Sequence, residues 1–164
     1  MEAHDTTGTP WAVLDTNVVL AIWLWKDPRL DELGRLLSTG GIRWLSDTPT
    51  WDECLHELRP DRCASLGLAV EAMSEQLKQL PRVHWAPAAG AGAVTPPTAA
   101  LRCSDPDDQK FIDLALSGRA QWLLTRDKAV LRLRGRALAV GLRIADPTGL
   151  SAASLLAARP APPR

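Results

Sequence analysis

Trp11-Ala-Val-Leu-Asp-Thr-Asn17 begins with four apolar residues in a row and halts on an aspartate. Such a run lacks the alternation of a half-solvated strand, so it reads as a β-strand buried on both faces, the kind found in parallel sheets. The pattern returns in Gln121-Trp-Leu-Leu-Thr-Arg-Asp127, which again delivers a carboxylate just past the last buried residue. Shorter runs at Ile42-Arg-Trp-Leu45, Val83-His-Trp85 and Leu142-Arg-Ile144 supply three more strands.

The segments between these runs read as helices. Thr16 or Asn17 can cap a helix over residues 18–26, and Pro28 opens another that runs to Ser38 before Gly40-Gly41 ends it. Thr48-Pro49 starts a helix over residues 49–58, with helical spacing continuing over 62–80. Asp105-Pro106 starts one that reaches Ser117, and further helices are expected after Asp127 to Arg134 and over 148–157. Residues 86–101, rich in Ala, Gly, Pro and Thr, carry no periodicity and read as a surface loop. Strands alternating with helices predict an α/β fold with a mostly parallel central sheet and helices on both faces. The expected organisation is a flexible N-terminus over 1–10, one domain over 11–157 and a disordered tail over 158–164.

A chain of 164 residues suits one compact core, and its 46% hydrophobic and 23% charged content excludes wholesale disorder, collagen and coiled coil. No apolar run approaches the roughly 20 residues of a membrane helix, and the N-terminus lacks a secretory pattern, so the expected address is cytoplasmic. Three cysteines without Cys-x-x-Cys spacing argue against a disulfide framework or a zinc knuckle. Nineteen basic residues balance nineteen acidic ones, so any nucleic-acid contact has to be local.

Because parallel strands share a carboxyl edge, Asp15 and Asp127 are expected to meet there, where ligands of open α/β sheets bind. A third element is Cys103-Ser-Asp-Pro-Asp-Asp-Gln-Lys-Phe-Ile-Asp-Leu-Ala115. On a helix Asp108 shares a stripe with Phe111, Ile112 and Ala115, and Asp105 lies one turn earlier, whereas Asp107 and Asp113 fall off the stripe toward solvent. Asp105 reads equally as an N-cap, with Asp107 and Asp108 as first-turn acids worth about 0.3 to 1 kcal/mol each. A fourth carboxylate comes from Trp51-Asp-Glu-Cys-Leu-His-Glu-Leu58, where neither Glu53 nor Glu57 falls on the apolar stripe, so periodicity leaves the choice open. Several carboxylates gathered at one edge repel unless cations sit among them, and an oxygen-rich cage suits Mg2+ or Mn2+ and phosphodiester chemistry by metal-activated water.

These pieces in their order, Val-Leu-Asp15-Thr-Asn17, a mid-chain acidic helix, Asp105-Pro-Asp-Asp108-Gln-Lys-Phe-Ile-Asp-Leu-Ala115 and Leu-Leu-Thr125-Arg-Asp127, resemble PIN-domain proteins over residues 11–147. The match is closest to the branch described as toxin components of toxin-antitoxin systems. The resemblance implies an α/β nuclease that cuts single-stranded RNA with Mg2+ or Mn2+ held by Asp15, Asp108 and Asp127. It also implies Glu53 rather than Glu57 at the second acidic position, because Cys54 and Leu58 match the family's apolar residues one and five places later. It implies a cut leaving 5'-phosphate and 3'-hydroxyl, an antitoxin protein as partner, and a silent RNA- or protein-binding module as the alternative. Asn17, Thr125 and Asp105 are expected as polar supports that orient carboxylates or water.

Between residues 109 and 136 seven basic residues face only Asp113 and Asp127, and Arg126, Lys128, Arg132 and Arg134 are the candidates for phosphate contacts. Trp11, Trp44 and Trp122 lie in strand runs and are expected in the core. Trp23 and Trp25 cannot both face inward on one helix, so one of them is expected at a homodimer interface or in a substrate groove. Two rival sites fail on residue type: an Asp-x-Asp phosphatase site lacks its second aspartate at Asn17, and no Gly-x-Gly-x-x-Gly follows the first strand.

Overall fold

A computed structural model describes residues 8–86 and 101–158. Five strands, β1 (Trp11–Leu14), β2 (Arg43–Ser46), β3 (Arg82–His84), β4 (Trp122–Leu124) and β5 (Arg143–Ala145), form one sheet of order β3-β2-β1-β4-β5. Every pairing is parallel, with Leu14 opposite Leu124 and Val13 opposite Leu45. The continuous apolar runs are explained by what covers the sheet. On one face Ala12, Leu14, Trp44, Trp122 and Leu124 pack beneath helices α1 (Thr16–Trp23), α2 (Asp31–Thr39), α3 (Thr48–His56) and α5 (Val70–Lys78). On the other, Val13, Leu45, Leu123 and Ile144 pack beneath α6 (Gln109–Ser117), α7 (Lys128–Leu131) and α8 (Arg134–Leu138). The remaining helices among the described residues are α4 (Pro60–Ala64) and α9 (Ala152–Leu156). The expected α/β class, with a parallel sheet and helices on both faces, is the one observed.

The helix starts depart from the sequence reading in an instructive way. Asp15, rather than Thr16 or Asn17, caps α1, its carboxylate accepting from the Asn17 amide at 3.3 Å. Asp47, rather than Thr48, caps α3 through a reciprocal box with Thr50. Asp105-Pro106 starts a short 3-10 turn (Pro106–Asp108), so the α-helix itself begins only at Gln109. The helical spacing over 62–80 breaks into α4 and α5 around Gly67, whose φ of 68° is a left-handed conformation that L side chains rarely adopt. α2 ends where expected, on Gly40 with φ 76°.

Trp23 stacks on Trp44 with ring centroids 5.3 Å apart, while Trp25, past the end of α1, is 41% exposed. Most of the three segments expected to be unstructured (1–10, 86–101 and 158–164) lies outside the described residues. At their inner ends Pro10, Leu101 and Ala158 are buried. No helix among the described residues is long and apolar enough to cross a membrane.

Candidate active site

After β1 the sheet grows first toward β2 and β3, and then resumes on the opposite side with β4 and β5. Strand order therefore reverses between β1 and β4, and the crevice outside the carboxyl ends of those two strands is the topological switch point of the fold. Asp15 follows β1 directly, and Asp127 lies three residues beyond the end of β4.

Asp15 is held by the strand register, its amide donating to the Leu124 carbonyl at 3.0 Å. Only 5% of it is exposed. Its Oδ2 accepts from Thr125 Oγ1 at 2.7 Å, and that same hydroxyl oxygen accepts from the Asp127 amide at 2.9 Å. The fully buried Thr125 thus ties the two aspartates into one hydrogen-bonded unit across adjacent strands. Burial pushes the Asp15 carboxyl above its ordinary range, the bonds from Thr125 and Asn17 pull the other way, and the charges of Glu53 and Asp127 add to the rise. Asp127 caps α7, its Oδ1 accepting from the amides of Ala129 at 2.7 Å and Val130 at 3.3 Å.

With Asp15 as the cap of α1, the Thr16 hydroxyl donates to Glu53 Oε1 at 2.7 Å. The other Glu53 oxygen, Oε2, is in direct ion pairing with Lys110 Nζ. Glu57 faces elsewhere, paired with Arg62 at 3.0 Å and Arg59 at 3.5 Å. Of the two glutamates left open by periodicity, it is Glu53 that lies against Asp15.

Asp108 ends the 3-10 turn and precedes α6 without a side-chain capping bond. Its carboxyl is pushed up to about 6, first by burial and then by the charges of Asp127, Asp15, Asp105 and Glu53. Four carboxylates from four separated parts of the chain therefore share one electrostatic neighbourhood. They do not form a ready-made cage: among the described residues no three His, Cys, Asp or Glu side chains are placed to hold a metal ion. The reason is local. Glu53 is spoken for by Thr16 and Lys110, and one oxygen of Asp127 by helix amides.

The donor set nonetheless fits a hard divalent ion. Two thiols lie near these carboxylates, and both are pushed upward. Burial pushes Cys54 up to about 12, and Cys103 is raised by burial and by Asp108, Asp127 and Asp105. The groups gathered around Asp15 are carboxylate and hydroxyl oxygens, the set that suits Mg2+ or Mn2+.

The remaining sequence candidates divide. Asp105 is exposed and caps the 3-10 turn through the Asp107 amide at 3.0 Å, and Asn17 is exposed at the start of α1. Asp113, expected in solvent, is half-buried and accepts from Gln109 Nε2 at 3.0 Å. Lys128, Arg132 and Arg134 are exposed and, with Leu131, line an open groove of about 340 Å³. Arg126 is diverted from them: its Nη2 donates to Asp27 Oδ2 at 2.7 Å, and Asp27, bound also by Arg29, is held well below the ordinary carboxylate range. Two residues at the site escaped the sequence reading, Thr16 and Lys110. Thr16 was visible only as a possible cap and Lys110 only as one of a run of basic residues.

A family model for the PIN domain matches residues 12–129, a span that contains all four carboxylates. The chain belongs to the PIN-domain family. Members are generally nucleases and typically use divalent metal ions, which agrees with an oxygen-rich acidic crevice. No curated protein and no solved structure matches the chain.

Proposed function

We propose that this protein is a Mg2+- or Mn2+-dependent endoribonuclease that cuts single-stranded RNA, with residues 11–157 as one catalytic domain. Its biological role is that of a toxin restrained by an antitoxin protein, as in the branch of the family it resembles. The observation that carries the reading is the shared electrostatic neighbourhood of the four carboxylates, Asp15 being raised by burial and the charges of Glu53 and Asp127, and Asp108 by burial and the charges of Asp127, Asp15, Asp105 and Glu53.

These four side chains would hold the ion. When bound, it supplies a water acidified toward hydroxide and neutralises the oxygens of the scissile phosphate. The chain's own residues prepare the ground for that chemistry. Thr125 orients Asp15 and the backbone of Asp127, and Thr16 orients Glu53. Asp108, bound by no capping amide, is the carboxylate most free to turn toward a ligand. Lys128, Arg132 and Arg134 offer cations to the phosphates of a strand lying along their groove.

Asp15→Asn and Asp127→Asn test the reading, since Asn preserves shape and can still cap a helix. Both variants should keep the circular dichroism of the parent and lose Mn2+-dependent cleavage of single-stranded RNA. Full activity in Asp15→Asn would remove the mechanism. One observation favours a second reading, a module that binds RNA without cutting it: Glu53 is tied up by Lys110. Absence of cleavage by the unaltered protein with Mn2+ and with Mg2+ would select that reading.

A further inference from the structure

Lys110 lies on the first turn of α6, two residues beyond Asp108, and α3 runs close enough for its side chain to cross to Glu53. Its ammonium is anchored twice, on Glu53 Oε2 and on the Asp107 carbonyl at 2.7 Å. Its Nζ stands 5.5 Å from the centroid of the Phe111 ring. Both partners of the ion pair are largely shielded, with side-chain exposures of 27% for Lys110 and 28% for Glu53. Through Thr16, Glu53 joins the same carboxylate neighbourhood as Asp15, and its charge is felt by both Asp15 and Asp108. Lys110 thus places a positive charge, built into the chain, among groups that otherwise repel one another.

We propose that Lys110 is an internal counter-cation whose ammonium competes with a divalent ion for Glu53, and so sets how tightly the carboxylates take up metal. Lys110 is a positioning residue: it acts through Glu53, holding that carboxylate toward α6 until a doubly charged ion outcompetes the single charge. The inference rests on the metal-site reading above and adds to it a residue that tunes affinity. Its direction is the opposite of what a merely structural lysine predicts. Removing the ammonium should strengthen metal binding, although an ion pair is lost.

The test is Mn2+ binding to the whole protein, followed by calorimetry and by the electron paramagnetic resonance signal of free Mn2+. Lys110→Met should bind Mn2+ about fivefold more tightly than the parent, the scale of one partly shielded ion pair. Lys110→Gln should follow it, and Lys110→Arg, which keeps the charge, should stay near the parent. In the Glu53→Gln background the gain from Lys110→Met should shrink to less than about twofold, because the competition is over that carboxylate. Equal or weaker binding by both Lys110→Met and Lys110→Gln would overturn the proposal while leaving the metal site standing. An undiminished gain in the Glu53→Gln background would also overturn it, since the lysine would then act through its field alone. If neither the parent nor any variant bound Mn2+, the metal-site reading would fall, and this proposal with it.

Discussion

Asp108→Asn should make the protein more stable at neutral pH and lose that advantage in acid, below the ordinary carboxylate value of 3.8. The Asp108 carboxyl is pushed from 3.8 to about 6 by burial and by four neighbouring acids, and it makes no side-chain capping bond that Asn would forfeit. A group whose value is higher in the folded chain than in the unfolded one binds more protons when folded. Stability therefore falls as pH rises through the window from 3.8 to about 6, and stays at the lower level above it. Taken at face value the rise is equivalent to about 3 kcal/mol, at about 1.4 kcal/mol per tenfold change in proton affinity. Asp108 is only half-buried, so solvent screening reduces this to about 1 to 2 kcal/mol. Asn imitates the protonated side chain at every pH. Urea unfolding at pH 7.5 should give the variant a midpoint advantage of that size, and the advantage should shrink as the pH falls through the window and nearly vanish at about pH 3, below the unfolded value of 3.8. Saturating Mn2+ at pH 7.5 should narrow or reverse the gap, because the parent gains more binding energy from the ion. A variant destabilised equally at both pH values would show that the Asp108 charge is not under strain, and the reasoning about the carboxylate neighbourhood would fail.

Two further outcomes follow from the same geometry. Thr125→Val removes the hydroxyl that serves both Asp15 Oδ2 and the Asp127 amide, so thermal unfolding should show a loss of about 1 to 3 kcal/mol. The same variant should also lose RNA cleavage, as Asp15 loses its orienting donor. Lys128→Gln, Arg132→Gln and Arg134→Gln combined should weaken single-stranded RNA binding without altering the fold. The slope of log affinity against log salt should drop by about 2, and an unchanged slope in fluorescence anisotropy would take the groove out of the binding surface.

The strands were legible because of an elementary constraint. A strand covered on both faces has to be apolar at consecutive positions, so the runs Trp11–Leu14 and Trp122–Leu124 by themselves announce a parallel sheet. Asp15 and Asp127 were legible as its edge for the complementary reason: a carboxylate marks where the sheet core stops. The amphipathic stripe of Phe111, Ile112 and Ala115 likewise located α6, and each of the three is buried. Cap identity was less legible. Asp15 and Thr16 are both good caps, and the choice depends on which side chain a neighbouring element claims. Here the Thr16 hydroxyl pairs with Glu53 on α3, and Asp15 is the cap.

What one-dimensional pattern fixed, then, is the set of elements and the strand ends that carry acid, since periodicity and capping act over a few residues. What remained for three-dimensional packing was every choice between chemically equivalent neighbours. Glu53 and Glu57 are alike on the helix wheel, and spacing does not say that Lys110 on α6 reaches the first while Arg59 and Arg62 beyond α3 take the second. Arg126 and Arg132 are alike in a basic run and were separated by Asp27, distant in sequence, which binds the first. The physical reason is the same in each case. Ion pairs and buried charges act through space at ångström range, and spacing along the chain does not encode which distant side chain will arrive there.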